Sequence, residues 1–121
     1  LTCSMGMTDF SFVEELDLYS LFQNALTNAI NAVSALPEDA ERFISLSACR
    51  EGNMLTIHME NPCAEDIEFV DGLPQTKDDP DWHGFGMKSM NRIAEKYSGM
   101  LTAEQRGTMF FLDILLLAPE K

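Results

Sequence analysis

The feature that most constrains the fold of this chain is a long stretch without charge between Asp17 and Glu38. No Asp, Glu, Lys or Arg lies inside it, although these residues make up 23% of the 121-residue chain. Apolar side chains recur through the stretch with helical spacing, at Leu18, Leu21, Phe22, Ala25, Leu26, Ala29, Ile30, Val33 and Leu36. Asp17 is a suitable N-cap residue, and Pro37 ends the pattern. Because a surface helix normally carries charges on its outer face, we expect this helix to be buried nearly all round or to face a ligand.

A polar stripe runs along the predicted helix. At about 100° per residue, Asn24, Asn28 and Asn31 lie within about 60° of one another. Asparagine lowers helix propensity, and a buried carboxamide requires hydrogen-bond partners. Its oxygen is a hard, neutral ligand of the kind that Mg²⁺ prefers, and Mg²⁺ is usually shared with substrate phosphates. The stripe therefore predicts either a magnesium-nucleotide site or a satisfied polar network in the core.

The other periodic segments predict paired strands and one further helix. Their order is a strand at 10–13, the first helix, strands at 44–48 and 55–59, a second helix that buries Met87, Met90, Ile93, Ala94 and Tyr97, and strands at 100–105 and 109–117. Turns are predicted at 51–53 and 106–107, and Gly99 stands where the second helix should stop. Strands that come in pairs predict a single α+β domain over residues 1–121. We expect an α/β sandwich with one mixed, mostly antiparallel sheet covered on one face by helices.

The segment from Asn61 to His83 has no periodicity, many acidic residues and three prolines. Such a segment inside a compact domain is typical of a functional loop or lid. It ends in the motif His83-Gly84-Phe85-Gly86-Met87-Lys88. Glycine lets the backbone approach a phosphate, and a helix that starts here would offer unpaired N–H groups, with Lys88 as an added cation. The motif matches neither GxxxxGK[ST] nor GxGxxG, so by itself it indicates a phosphate site only weakly.

Composition excludes several classes of function. The net charge of −12 and the pI of about 4.3 argue against a nucleic-acid-binding domain, which normally has a basic face. A nucleotide is still compatible, because backbone N–H groups and Mg²⁺ can hold phosphates locally. Cys3, Cys49 and Cys63 are odd in number and form no CxxC pair, which predicts free thiols in a reducing compartment. No apolar run approaches the roughly 20 residues of a membrane span.

The asparagine stripe and the glycine motif together resemble the GHKL superfamily, and within it the catalytic domains of histidine kinases. Residues 21–32 look like the family's N box, residues 84–87 are similar to its G2 box, and residues 55–61 to the strand that leads into its G1 box. The resemblance covers nearly the whole chain in the right order and is strongest to the peptide-pheromone and citrate-type receptor kinases. It implies the Bergerat ATP-binding fold, with an ATP lid at about residues 62–85.

The resemblance also implies a site. Asn28 would be the Mg²⁺ ligand, with Asn24 beside it as the second catalytic residue, and Asn31 would face the phosphates. Asn61 stands where the family has its adenine-binding Asp and can bond adenine through its amide. The nucleotide would also contact the motif from His83 to Lys88.

Two positions depart from the family's pattern. Pro62 and Cys63 stand where the Gly-x-Gly of the G1 box belongs, which weakens the expected affinity for nucleotide. The superfamily's ATPases carry a Glu general base at the position of Asn24, and asparagine cannot accept a proton from water. This second departure favours phosphotransfer over hydrolysis.

The function implied by the resemblance is that of the ATP-binding catalytic domain of a two-component sensor histidine kinase. It would bind Mg-ATP and pass the γ-phosphoryl group to a histidine on a separate dimerisation domain, with a response regulator downstream. The chain starts at Leu1 and reads as the cytoplasmic part of a longer, membrane-bound receptor. Neither His58 nor His83 is expected to accept phosphate. Two alternatives stay open: an anti-sigma-type serine/threonine kinase of the same fold, and a GHKL interaction domain that has lost nucleotide binding.

Overall fold

The structure is a computed structural model that describes residues 2–4, 6, 8–63, 68–70, 73–75 and 80–119. The side chains of residues 2–4, 68–70, 73–75 and 80–86 lie outside that description. The elements follow in the order β1 (Thr2–Ser4), α1 (Glu15–Ser34), β2 (Ser45–Glu51), β3 (Met54–Pro62), β4 (Glu68–Val70), β5 (Leu73–Gln75), α2 (Pro80–Lys96), β6 (Met100–Arg106) and β7 (Met109–Leu117). Within the described chain, neither helix is long and apolar enough to cross a membrane.

The main sheet has five strands in the order β1-β2-β3-β7-β6. β1 runs parallel to β2, and the other neighbouring strands are antiparallel. β4 and β5 form a separate two-stranded sheet. Two-residue loops join β2 to β3 and β6 to β7, and the first residue of each loop is a glycine with positive φ, Gly52 at 60° and Gly107 at 58°. The fold class is confirmed: a mixed, mostly antiparallel sheet with helices on one face.

Alternation along the two central strands places the core between the sheet and the helices. The inward residues of β3 and β7 are buried: Leu55, Ile57, Met59, Asn61, Phe110, Leu112, Ile114 and Leu116. α1 contributes Leu21, Ala25 and Ala29 to this core, and α2 contributes Met87, Met90 and Ala94. The helices are thus held to the sheet by their apolar faces, and each large buried side chain contributes about 1.5–3 kcal/mol.

The first helix starts earlier than the sequence predicts. It begins at Glu15, with Glu14 rather than Asp17 at the N-cap position, and no side chain of the helix caps it. The Glu14 backbone N–H donates instead to the Tyr97 hydroxyl, at 3.0 Å. Of the two expectations for this helix, burial nearly all round does not hold, because Tyr19 is 66% exposed and Ile30 is 51% exposed. A face directed at a ligand stays a prediction. The missing charge on this helix therefore cannot be explained by the core alone.

The second helix ends in a Schellman motif. The Gly99 N–H donates to the Ala94 carbonyl at 2.8 Å, and the Ser98 N–H donates to the Glu95 carbonyl at 3.0 Å. The left-handed residue is Ser98, with φ of 59°, and not the glycine that the sequence suggested. Gly99 is needed for a different reason, since a Cβ at this position would lie 1.6 Å from the Leu115 backbone oxygen.

Three further predictions about boundaries are wrong. Residues 10–13 form a turn, closed by the Val13 N–H and the Phe10 carbonyl at 2.9 Å, and the first strand is β1. β3 continues to Pro62, so that Asn61 belongs to a strand and not to a loop. The segment 61–83, expected to be irregular, contains β4, β5 and the start of α2 at Pro80.

Cys49 and Cys63 form no disulfide within the described residues.

Candidate active site

The asparagine stripe lies on one face of α1, as predicted. Asn24, Asn28 and Asn31 are all half-buried, between the core side of the helix and solvent. The Asn24 Nδ2 donates to the Ser20 carbonyl at 2.9 Å and to the Ser20 Oγ at 3.2 Å. This pairing occupies the amide nitrogen with its own helix, and the Asn24 Oδ1 accepts no hydrogen bond from a described residue. The Asn24 carboxamide oxygen is therefore not paired within the described part of the chain.

The contacts of Asp17 show which way the stripe faces. Asp17 lies seven residues before Asn24, two helical turns earlier and on the same face. Its Oδ2 accepts hydrogen bonds from the Lys96 Nζ at 2.7 Å and from the Tyr97 hydroxyl at 2.6 Å. Both partners stand at the C-terminal end of α2, which packs against α1. The pairing of these ends indicates that α2 runs back along the asparagine side of α1.

These contacts form a fixed connection between the two helices, here called the helix clamp: Asp17, Lys96 and Tyr97. Hydrogen bonds from Lys96 and Tyr97 lower the pKa of Asp17, and the hydrogen bond to Asp17 raises the pKa of Lys96. Burial raises the pKa of the Tyr97 hydroxyl, and its hydrogen bond to Asp17 acts in the same direction. The clamp could not be predicted from the sequence, although the seven-residue spacing from Asp17 to Asn24 was a signal that Asp17 shares the asparagine face of α1.

Asn61 is the one buried polar residue among the described part of the chain, with 0% of its surface exposed. It points inward because it continues the alternation of β3 after Met59. Its Nδ2 donates to the Pro62 carbonyl at 3.0 Å, whereas its Oδ1 has no hydrogen-bond partner among the described residues. A buried oxygen left unpaired costs about 1–3 kcal/mol. Asn61 thus offers a desolvated acceptor at the end of β3.

The end of β3 is held by its neighbours rather than by a glycine-rich turn. The Cys63 N–H donates to the Thr108 carbonyl at 2.8 Å, and the Gln105 Nε2 donates to the Cys63 Sγ at 3.4 Å. Cys63 itself is buried in the core. These contacts hold the residue after β3 against β6 and the β6–β7 turn, at the position where the family pattern has Gly-x-Gly.

The glycine motif lies inside α2 and not before it. Because α2 begins at Pro80, residues 83–88 fall in its first turns, and the prediction of a helix start at the motif is wrong. Proline suits the first position of a helix, since the N–H that it lacks would be unpaired there. The side chains of His83, Gly84, Phe85 and Gly86 lie outside the described residues.

Met87 and Lys88 have opposite environments. The Met87 side chain is 1% exposed and packs in the hydrophobic core. Its contact with nucleotide stays a prediction. Lys88 is exposed on the surface of α2 and forms no ion pair with a described residue. Of these two residues, only Lys88 has a side chain that can reach an anionic ligand.

The donor set fits magnesium better than it fits a transition metal. Among the described residues, no three His, Cys, Asp or Glu side chains are grouped so that they could hold a metal ion. The asparagine face supplies carboxamide oxygens, which are hard ligands, and Mg²⁺ usually completes its shell with water and substrate phosphates. Asn24, Asn28 and Asn31 are therefore compatible with an ion that a nucleotide brings with it.

His58 lies on the outer face of the sheet, away from α1. Its Nδ1 is 2.6 Å from the Asp113 Oδ1, and its Nε2 is 3.1 Å from the Glu60 Oε2. Burial lowers the pKa of His58, but the hydrogen bonds to Asp113 and Glu60 outweigh it, so the pKa lies above its usual value of 6.5. The contact with Asp113 ties β3 to β7, and His58 lies outside the candidate site.

Comparison with known proteins assigns the fold to one family. The family model described as GHKL domain matches residues 13–117. Among solved structures, the Acinetobacter baumannii histidine kinase AdeS superposes with a TM-score of 0.66 at 14% identity, over 98% of this chain and 53% of that one. The Erythrobacter litoralis EL346 blue-light-activated histidine kinase superposes with a TM-score of 0.67 at 16% identity, over 96% and 34%.

Of the three neighbours, a nucleotide-free catalytic domain has the largest share of its own chain covered. The catalytic domain of histidine kinase ThkA superposes with a TM-score of 0.64 at 16% identity, over 89% of this chain and 71% of that one. The chain spans about half of AdeS and about a third of the EL346 kinase, and at these identities the likeness shows the fold alone. No curated protein sequence matches the chain at a significant level.

Proposed function

We propose that this chain, which belongs to the GHKL domain family, is the ATP-binding catalytic domain of a sensor histidine kinase. Family membership rests on the match over residues 13–117 and implies the use of ATP. The observation that carries the proposal further is the buried Asn61, whose Oδ1 has no partner among the described residues. This oxygen lies at the end of β3, a strand that packs against the asparagine-bearing helix α1.

Asn61 provides the base specificity of the proposed site. Its amide is oriented by the Nδ2 bond to the Pro62 carbonyl, which leaves the oxygen as the group that faces a ligand. An oxygen acceptor pairs with the exocyclic amine of adenine, whereas guanine has a carbonyl oxygen at the corresponding position. Two acceptors that face each other in a desolvated site leave both unpaired, so adenine nucleotides should bind and guanine nucleotides should not.

The phosphate end of the nucleotide lies at the asparagine face. Asn28 would hold Mg²⁺, with Asn24 beside it and Asn31 toward the phosphates, and the ion would neutralise the triphosphate when it is bound. Lys88 is exposed midway along α2 and would add a positive charge for the phosphates. The helix clamp of Asp17, Lys96 and Tyr97 keeps α2 against the asparagine side of α1, so the two halves of the site stay in position.

The chemistry favoured by these residues is transfer rather than hydrolysis. Asn24 cannot remove a proton from water, so it cannot act as a general base. A histidine imidazole is already nucleophilic and needs to be positioned more than activated. The acceptor histidine would belong to a dimerisation domain of the same receptor, with a response regulator downstream, and the segment around 62–85 would act as the ATP lid.

A phosphotransfer assay tests this function. The chain is joined to the histidine-bearing dimerisation segment of its own full-length protein and incubated with Mg²⁺ and γ-labelled ATP or GTP. We expect label from ATP alone, in an acid-labile, base-stable bond typical of phosphohistidine. Asn28→Ala should reduce labelling by at least about 100-fold, whereas Asn53→Ala, which changes an exposed asparagine in the β2–β3 turn, should leave it unchanged.

Three results would decide against the proposal. Label on serine or threonine of a separate protein would identify the domain as a kinase of the anti-sigma type. Equal labelling by ATP and GTP would show that Asn61 does not select the base. Absence of transfer together with absence of nucleotide binding would identify a GHKL interaction domain that has lost catalysis.

A further inference from the structure

One flank of α1 serves neither the core nor the asparagine face. Leu21, Ala25 and Ala29 make up the buried face, and the asparagine stripe follows on one side of it. On the opposite side large hydrophobic side chains are open to solvent, with Tyr19 66% exposed and Ile30 51% exposed. We call this side the outer flank of α1.

The outer flank contains a shallow groove of about 640 Å³. Seven residues line it: Glu15, Leu18, Tyr19, Phe22, Gln23, Leu26 and Thr27. They form two rows with a spacing of four residues, one of Leu18, Phe22 and Leu26 and one of Glu15, Tyr19, Gln23 and Thr27. Two adjacent rows of this kind are the ridges between which a ridge of a second helix packs.

The floor of the groove is rigid. Leu18, Phe22 and Leu26 are partly buried and pack against the core, so their positions are fixed by the fold. The Phe10 ring braces Phe22 edge-on, with ring centroids 6.0 Å apart and planes at 78°. A preformed apolar floor lowers the entropy that is lost when a partner binds.

The charge at the groove selects among occupants. Glu15 stands on its rim, and α1 contains no lysine or arginine from Glu15 to Ser34. The whole chain carries a net charge of −12. A second copy of this chain would be repelled because both copies are negatively charged, and an anionic membrane surface would be repelled in the same way. A partner with basic residues beside its apolar stripe would be attracted.

We propose that the outer flank of α1 docks a basic amphipathic helix of a partner protein. The groove runs from Glu15 to Thr27, about 18 Å at 1.5 Å per residue, which matches about three turns of a docked helix. Apolar side chains of the partner fill the space between the two rows, and its basic residues face Glu15. Docking here leaves the asparagine face open, so nucleotide and partner bind at the same time.

A synthetic helix is a direct probe of this groove. A labelled peptide of about 18 residues, with leucine in helical order and lysine elsewhere, is titrated with the chain and followed by fluorescence anisotropy. Two comparison peptides have the same composition in scrambled order, or glutamate in place of lysine. We expect the ordered leucine-lysine peptide to bind at least about tenfold more tightly than either comparison peptide.

Variants locate the binding on the molecule. Tyr19→Lys should weaken peptide binding at least about tenfold, and Glu15→Lys at least about threefold. Met100→Lys is the matched control, because Met100 is 56% exposed but lies on the outer face of the sheet, and it should change binding by less than about twofold. Asn28→Ala should also leave peptide binding unchanged, which separates this site from the nucleotide site.

The proposal is overturned by any of three results. The first is the same affinity for the ordered and scrambled peptides, and the second is the same affinity for the parent chain and Tyr19→Lys, with circular dichroism showing that both are folded. The third is a dimer of the chain that sedimentation detects and that Tyr19→Lys dissociates, since the groove would then hold a second copy.

Discussion

Replacing Asn61 by leucine should stabilise the domain while it weakens nucleotide binding. Leucine has the same branching as asparagine but removes the unpaired Oδ1, which recovers about 1–3 kcal/mol. It also removes the hydrogen bond to the Pro62 carbonyl, which costs about 0.5–1.5 kcal/mol. The net change in the free energy of unfolding is an increase of about 1 kcal/mol. Loss of the acceptor for the adenine amine should weaken ATP binding about tenfold or more.

Urea unfolding and nucleotide titration of the same samples measure both effects. Asn91→Leu is a suitable control, because Asn91 bonds only Glu95 on the exposed side of α2, at 3.3 Å, and should change the unfolding free energy by less than about 0.5 kcal/mol. A marked loss of stability in Asn61→Leu with unchanged ATP binding would refute the reasoning, since it would show that the Oδ1 is satisfied within the protein.

Three other predictions concern the stability of the fold. Gly99→Ala should lower the unfolding free energy by about 3 kcal/mol or more, since its Cβ would lie 1.6 Å from the Leu115 backbone oxygen. Gly52→Ala should lower it by about 1 kcal/mol, because Gly52 has φ of 60° but an added Cβ there would have nothing within 4 Å. Equal losses in urea unfolding would contradict this difference. Tyr97→Phe removes two hydrogen bonds and should lower the unfolding free energy by about 1–2 kcal/mol. It should also raise the KM for ATP more than it lowers kcat, and an unchanged KM would argue against a positioning role for Tyr97. His58 has a raised pKa, so the stability that it contributes is complete below pH 6.5 and is lost as the pH rises through its higher pKa in the folded state. The unfolding free energy should fall between pH 6 and 8 by less than about 1 kcal/mol, because His58 and Asp113 are partly exposed. His58→Gln should abolish this fall.

Periodic segments were predictable because their pattern reports burial directly. The alternation at Leu55, Ile57 and Met59 places β3 in the core, and the helical spacing of Met87, Met90 and Ala94 places α2 on the sheet. The asparagine stripe was predictable for the same geometric reason. The family resemblance assigned Asn61 its role in binding adenine. The structure adds that Asn61 is buried, because the inward alternation of Leu55, Ile57 and Met59 continues to residue 61.

Features set by distant contacts could not be read from the sequence. The N-terminus of α1 is held by Tyr97, a residue that is 83 positions away from Glu14, so no local capping signal marks it. The start of α2 carries glycines and acidic residues, which do not produce helical periodicity, and β1 is a strand only because β2 lies beside it. The uncharged stretch 18–37 left two interpretations open, burial nearly all round or a face toward a ligand, because composition cannot distinguish a core face from a face that meets a ligand.

Calorimetric titration with Mg-ATP shows whether the asparagine face holds a nucleotide. It compares the parent chain with Asn28→Ala, and uses Asn53→Ala as the matched change in an exposed turn. We expect binding that requires Mg²⁺, that is retained in Asn53→Ala and that is lost in Asn28→Ala. Binding that is equal in all three proteins, or absent from the parent chain at millimolar nucleotide, would contradict this expectation.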